Sequence, residues 1–392
     1  MIWLAWSLGG FSLLITLGFL LLSIWHLRRI RRAGADRAGN VSLVLALRGD
    51  QPGLAALFAA LAAQEFHARR LILAVESVHD PALAQARALA PMLPFPFEYV
   101  IAGEAEVSAQ KCANLAAAMA LIDARDDAVV MFDGDIRPQD YWLGCLVGPV
   151  LDGRYDIVTG YRWLQPGGAG WMAQAIAWLD HAVALLPRLK GLGLLWGGST
   201  AYSAAALRRL DLPGLYARQL VDDLSAGLRA RALGLRLLTR RALLVPLPSA
   251  ARGFGFYRRQ FQYGWHYQPA APAIALGITT LHAFGILLLL AASFSGHVFA
   301  QLCLGMILLL RLAALRCHIR VAEEIAAPMT TTERRRQAMM ALLPLFPVLI
   351  LLTIILSSVA ARRMRWRDIA YDIAGPEKLS VAWRRRFDGS GG

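Results

Sequence analysis

Several groups of residues in this chain have the types and spacing to do chemistry. Asp133-Gly134-Asp135 closes the apolar run AVVMF. Two carboxylates at i and i+2 with a small residue between them can turn toward one divalent cation, and hard cations such as Mg²⁺ prefer carboxylate and phosphate oxygens. The same triplet also makes a favourable turn. Asp222-Asp223 opens the stretch DDLSAGLRARALGLRL, where a carboxylate can cap a helix or face a cleft and take a proton from an attacking hydroxyl. Glu76 and Asp80 follow the run RLILAVE, at the place where a nucleotide-binding α/β domain holds a ribose or base. Asp80-Pro81 reads equally well as a plain helix start. Lys111, in AQKCANL, stands before another helix, to contact a diphosphate or to be a solvated surface charge.

These residues need a scaffold, and the pattern from 40 to 268 predicts one. Strand-type runs at 41–47, 70–76, 97–103, 128–134, 155–161 and 235–245 alternate with helical stretches such as 52–64 and 81–93. Alternation of this kind predicts an α/β domain with a mostly parallel central sheet covered on both faces, with ligands at the carboxyl ends of its strands. The four cysteines have no CxxC pair, so neither a metal cluster nor a disulfide framework is expected.

The rest of the chain is apolar. Hydrophobic types make up 57% of the 392 residues and charged types 17%, against about a quarter in soluble chains. Residues 1–26 read as an uncleaved transmembrane anchor, because Arg28, Arg29, Arg31 and Arg32 follow the apolar run instead of preceding it. The positive-inside rule then places the 40–268 domain in the cytoplasm, at the inner membrane of the cell. A C-terminal membrane region, 270–360, holds two spans (274–294 and 299–315) and a third run at 339–359. Pro344 and Pro347 break that run, which favours a re-entrant or interfacial segment and leaves 361–392 as a basic cytoplasmic tail. The net charge of +14 sits in arginine clusters beside apolar segments. It therefore points to lipid headgroups and topology, and away from nucleic acid.

Taken together, VSLVLALRGDQPGL with LAAQEF downstream, VESVHDPAL, QKCANL, VVMFDGDIRP, WGGSTAYS and VDDLSAGLRARALGLRL follow the order of a known group. The chain resembles inverting nucleotide-sugar glycosyltransferases of the GT-A fold, in their ceramide glucosyltransferase-like branch (glycosyltransferase family 2/21 type). The resemblance covers roughly 41–265, with membrane segments arranged as in that branch. It implies that Glu76 and Asp80 hold the uridine end of a UDP-sugar donor, with Arg48 and Gly49 beside it. By the same resemblance Asp133 and Asp135 carry a divalent metal, Mg²⁺ or Mn²⁺, and the donor diphosphate, with Lys111 near the phosphates and Asp223 as general base. Trp196-Gly197-Gly198 would line the acceptor side, next to Asp222. One element departs: the family's Gln or Arg, two variable residues, then Arg-Trp, meets GFYRRQFQYGWHYQ here. Aligning on Arg259 puts Gln260 where Trp belongs, whereas aligning on Trp265 puts Gly264 where Arg belongs. Both registers stay open, as does a basic amphipathic surface helix.

A lipid acceptor is expected. The stretch 163–190 places Trp171, Trp178 and several leucines in an Ala-rich helix beside the membrane segments, which suits either an interfacial helix at a lipid entry path or an ordinary core helix. Ceramide-, hopanoid- and glycerolipid-type hydroxyls all fit. A polyprenyl-phosphate sugar transferase or polysaccharide synthase is the alternative within this chemistry, and a catalytically silent membrane scaffold the alternative outside it.

Overall fold

The structure, a computed structural model, describes residues 2–32, 34, 37–187, 193–248 and 253–387. Lys190 of the tryptophan-bearing stretch and residues 388–392 of the basic tail lie outside the described residues. The chain divides into two compact units, one of 31–162, 188–247 and 362–392, the other of 1–30, 163–187 and 248–361.

The first unit is built on a seven-stranded sheet in the order β3-β2-β1-β4-β6-β5-β7. Its strands are β1 (Val41–Ala46), β2 (Arg70–Val75), β3 (Phe97–Ile101), β4 (Ala128–Phe132), β5 (Ile157–Gln165), β6 (Ser199–Ser203) and β7 (Leu237–Pro248). β1, β2 and β4 are buried at every position. Their unbroken apolar runs suit parallel strands covered on both faces, and β3, β2, β1 and β4 are indeed parallel. The sheet then reverses, since β6 is antiparallel to both β4 and β5. The sequence reading passed over β6, because STAYS is too polar to stand out as an apolar run.

Buried polar side chains fasten the strand ends. Asn114 Nδ2 donates to Leu47 O at 3.0 Å and Ala74 O at 3.3 Å, just past β1 and within β2. Gln110 Nε2 donates to Asn114 Oδ1 at 2.9 Å, which fixes the orientation of that amide. Residues past 361 form a second sheet of antiparallel strands, β8 (Arg363–Trp366), β9 (Ile369–Gly375) and β10 (Lys378–Arg384). The alternation of buried and half-buried positions in β9 is an ordinary period-2 strand signal, obscured at the sequence level by the density of arginine around it.

The second unit is helical. Three helices are long and apolar enough to cross a membrane: Trp6–Leu27, Ala270–Phe294 and Val298–Glu324. The run at 339–359 is not one helix. Thr331–Leu342 and Leu345–Val359 meet at 84°, as a broken span or a re-entrant loop. Pro344 lies at the break, and Arg311 donates to Met340 O at 2.7 Å and Ala341 O at 2.9 Å, satisfying carbonyls that the helix end leaves open. The 163–190 stretch supplies the helix Trp171–Ala184, with Trp171 and Met172 exposed.

Candidate active site

The site grows from one register. Phe132 of β4 pairs with Ser199 of β6, so Asp133 leaves the sheet beside the point where Trp196-Gly197-Gly198 enters it. The loop carrying Trp196 is fixed by hydroxyls: Trp196 N donates to Thr159 Oγ1 at 3.0 Å, and Thr200 Oγ1 donates to Trp196 O at 2.8 Å. Asp222 and Asp223 form the first turn of the helix Asp222–Ala232. There the helix dipole favours negative charge.

Lys111 joins these elements. Its Nζ lies 2.8 Å from Asp133 Oδ1 and 3.0 Å from Asp222 Oδ2. Asp223 is held separately: Gly197 N donates to its Oδ2 at 2.9 Å and Leu224 N to its Oδ1 at 2.7 Å. A Cβ at position 197 would lie 2.6 Å from Asp222 Oδ2 and 3.0 Å from Lys111 Nζ, so any larger residue there would displace that ion pair. Two carboxylates thus share one ammonium, with Asp223 a third acidic group close by. The electrostatics follow: burial and the neighbouring Asp222 push Asp223 up to about 6. Burial pulls Lys111 down, but Asp133, Asp222 and Asp223 outweigh it and leave the ammonium well above its ordinary range.

Asp135 lies two residues past Asp133, partly buried. Among the described residues no three His, Cys, Asp or Glu side chains are grouped to hold an ion by themselves. A carboxylate pair still fits a Mg²⁺-type ion, which is commonly bound through one or two carboxylates and completes its shell with substrate phosphates and water. The donor set therefore suits a metal that arrives with a diphosphate.

At the other end of the cleft the sequence candidates Arg48, Gly49, Glu76 and Asp80 also come together. Asp80 caps the helix Pro81–Leu89 and ties the loops: Ala82 N and Gly49 N both donate to its Oδ1 at 2.9 Å. Its Oδ2 is buried and accepts no hydrogen bond among the described residues. Burial raises the pKa of both Asp80 and Glu76. Arg48 pairs with Glu76 and is fully buried. The sequence reading treated Arg48 as a donor contact and did not anticipate what encloses it, namely Asp368, Arg385 and Phe387 past β8.

Arg259, Gln260 and Trp265 belong to the helix Phe254–Tyr267 of the helical unit. Trp265 Nε1 donates to Ser358 Oγ at 2.9 Å, and neighbouring Arg258 Nε donates to Ser357 O at 3.0 Å. The helix is thereby anchored to the end of Leu345–Val359. Neither register of the Arg-Trp motif is distinguished by these contacts.

A parallel sheet that reverses at β6, with a strand-end DGD and a lysine-bridged acidic pair at the mouth, defines a nucleotide-sugar glycosyltransferase of the GT-A type. The chain belongs to glycosyl transferase family 21, the ceramide glucosyltransferase family, whose model matches residues 11–379. Among solved structures it is similar to a mannosyltransferase from Pyrobaculum calidifontis in complex with GDP-mannose and Mn²⁺. That similarity covers 90% of this chain and 97% of that one, at a TM-score of 0.50 and 15% identity, a likeness of fold. It is also similar to glucosyl-3-phosphoglycerate synthase from Mycobacterium tuberculosis in complex with Mn²⁺, UDP and glucosyl-3-phosphoglycerate, at 15% identity and a TM-score of 0.34 over 54% of this chain and 71% of that one. No curated protein matches the chain significantly.

Proposed function

We propose that this transferase moves a hexose or hexosamine from a UDP-sugar to the hydroxyl of a membrane lipid of ceramide, hopanoid or glycerolipid type, in one inverting displacement. The observation that carries the reading is Asp223. Its carboxylate is pinned by two backbone amides, lies beside Asp222 across from Lys111, and has its pKa raised to about 6. A general base works best with a pKa near the operating pH. The acceptor hydroxyl gives its proton to Asp223 as its oxygen bonds to the anomeric carbon. The bond from that carbon to the diphosphate oxygen breaks, and UDP leaves with the electron pair.

Asp133 and Asp135 would hold a divalent metal, Mg²⁺ or Mn²⁺, which when bound spreads the charge developing on the diphosphate. Lys111 contributes a fixed positive charge on the same side. Asp80 Oδ2 has the capacity to accept the imide N–H of a uracil, and Glu76 lies beside it.

The lipid acceptor rests on three apolar helices and on exposed Trp171 and Met172 in the helix that follows β5. Topology supports the re-entrant reading of 339–359. Segments 31–162 and 362–387 form one compact unit, joined for example by Gln110 N donating to Tyr371 Oη at 3.0 Å. Both segments must then lie on one side of a membrane. One span precedes the unit and two follow, which favours a bent pair that returns to the side it left. The arginines after the first helix favour the cytoplasm for that side. The test is a comparison, by mass spectrometry, of lipid extracts from cells with and without the gene. A hexose or hexosamine added to one lipid class is the expected result. Unchanged lipids, together with no UDP release by the purified protein on lipid acceptors, would reject the reading.

A further inference from the structure

The residues read as the nucleotide subsite are among the most enclosed in their unit. Arg48, Asp80 and Glu76 are 0%, 1% and 2% exposed, yet a donor would have to touch them. What closes over them is the segment past the last apolar helix. The Phe387 ring lies 4.6 Å from the Arg48 guanidinium. Arg385 O accepts from the same guanidinium, and Asp368 lies 3.5 Å from its Nε. Arg384 stands 3.5 Å from Glu76 on the far side. Gly49 has φ +66°, and a Cβ there would lie 3.8 Å from Phe387 Cζ, so the ring rests against bare backbone. The far end of the segment reaches the acidic pair's own loop, where Leu220 N donates to Pro376 O at 3.1 Å.

We propose that residues 362–387 form a strap closed over the nucleotide end of the cleft, with the Phe387 ring in the place of the nucleobase, so that donor binding requires its release. The proposal rests on the reading of Arg48, Glu76 and Asp80 as the nucleotide subsite. An aromatic ring on a guanidinium and against a peptide plane is what a bound base would also present. The fastenings are suited to release. The outermost of them, the Arg386 pair with Glu104 at 3.3 Å, is solvent-exposed, so it holds the end of the strap weakly. A strap competing with donor makes the enzyme's affinity for nucleotide a difference between two occupants of one place.

Titration calorimetry of UDP with Mg²⁺ into the full-length protein in detergent tests this, using wild type, Phe387→Ala and Asp80→Asn. Phe387→Ala is expected to bind UDP about five- to tenfold more tightly. Equal or weaker binding would overturn the strap and make the ring part of the nucleotide site itself. Hydrogen exchange gives a second readout that needs no variant. Saturating UDP should speed exchange across 369–375 and 378–384, and protection there would equally overturn it. The subsite reading fails separately, and takes the strap with it, if neither wild type nor Phe387→Ala binds UDP, or if Asp80→Asn binds it unchanged.

Discussion

The two ends of the central sheet carry charge clusters of similar density and opposite design. At the amino ends of β1 and β2, Asp126 is buried and accepts from Ser42 Oγ at 2.5 Å, Arg69 at 2.7 Å and Arg70 at 3.0 Å. Asp123 pairs with Arg69 and Arg125, and Glu98 pairs with Arg70. Three guanidinium groups thus meet three carboxylates. Burial works against ionised Asp126, but Ser42, a backbone amide and the two arginines prevail and lower its pKa. At the carboxyl end Asp133 and Asp222 share Lys111 beside a third carboxylate, Asp223, whose pKa goes up. A cluster that balances its charge adds to stability. One that leaves a carboxylate underpaired keeps it ready for a proton or a cation.

The sharpest way to break this contrast is Asp223→Asn, which has nearly the same shape and cannot take a proton. Transfer is expected to fall by about 10²–10⁴-fold, the range ascribed to a general base, while UDP binding measured by calorimetry stays close to wild type. Full turnover in the variant would remove Asp223 from the base role. Its stability should move the other way. The ionised carboxylate is disfavoured in the folded protein, so the variant should melt higher than wild type at pH 7.5.

Asp126→Asn is the counterpart at the other end. It leaves Arg69 and Arg70 short of their shared partner, and breaking a buried pair of this kind costs roughly 3–5 kcal/mol, with partly exposed Arg69 bringing it toward the lower figure. A melting temperature lower by roughly 6–12 °C follows for a domain of this size. Activity per folded molecule should be unchanged. A variant of normal stability would mean that the network contributes no more than its exposed pairs do.

How much of this was legible in the sequence follows from the same physics. β1, β2 and β4 announce themselves because burial on both faces demands an unbroken apolar run, and DGD is visible because it ends one. Asp222-Asp223 could be read as cap or base. Only the antiparallel register of β4 with β6, a long-range pairing through a polar strand, brings Gly197 N to Asp223 and sets Asp133 where Lys111 reaches both it and Asp222. Arg48 enters through the family resemblance, but its burial comes from residues more than three hundred positions away. The sheet past 361 was taken as a basic tail because net charge masked its alternation.

The smallest expected effect is also the most specific, because the two ends should respond to pH in opposite senses. Asp223 has a folded pKa of about 6 against an ordinary 3.8. The folded state therefore binds the proton more tightly, and the stabilisation present below about pH 4 is lost as pH rises through 6. The melting-temperature gap between wild type and Asp223→Asn should accordingly be near zero at pH 4, open between 4 and 6, and stay level above 7. Asp126 has its pKa lowered, so its contribution is present above the ordinary aspartate value and is lost as pH falls through the folded one. The gap between wild type and Asp126→Asn should then be full at pH 7 and close only on acidification. Two differential melting curves from about pH 2 to pH 8 read both. Curves with the same slope at the two sites would mean that the ends of the sheet are not electrostatically distinct. A wild-type kcat/KM that falls below about pH 6, with Asp126→Asn following the same profile, would tie the carboxyl-end titration to the chemistry alone.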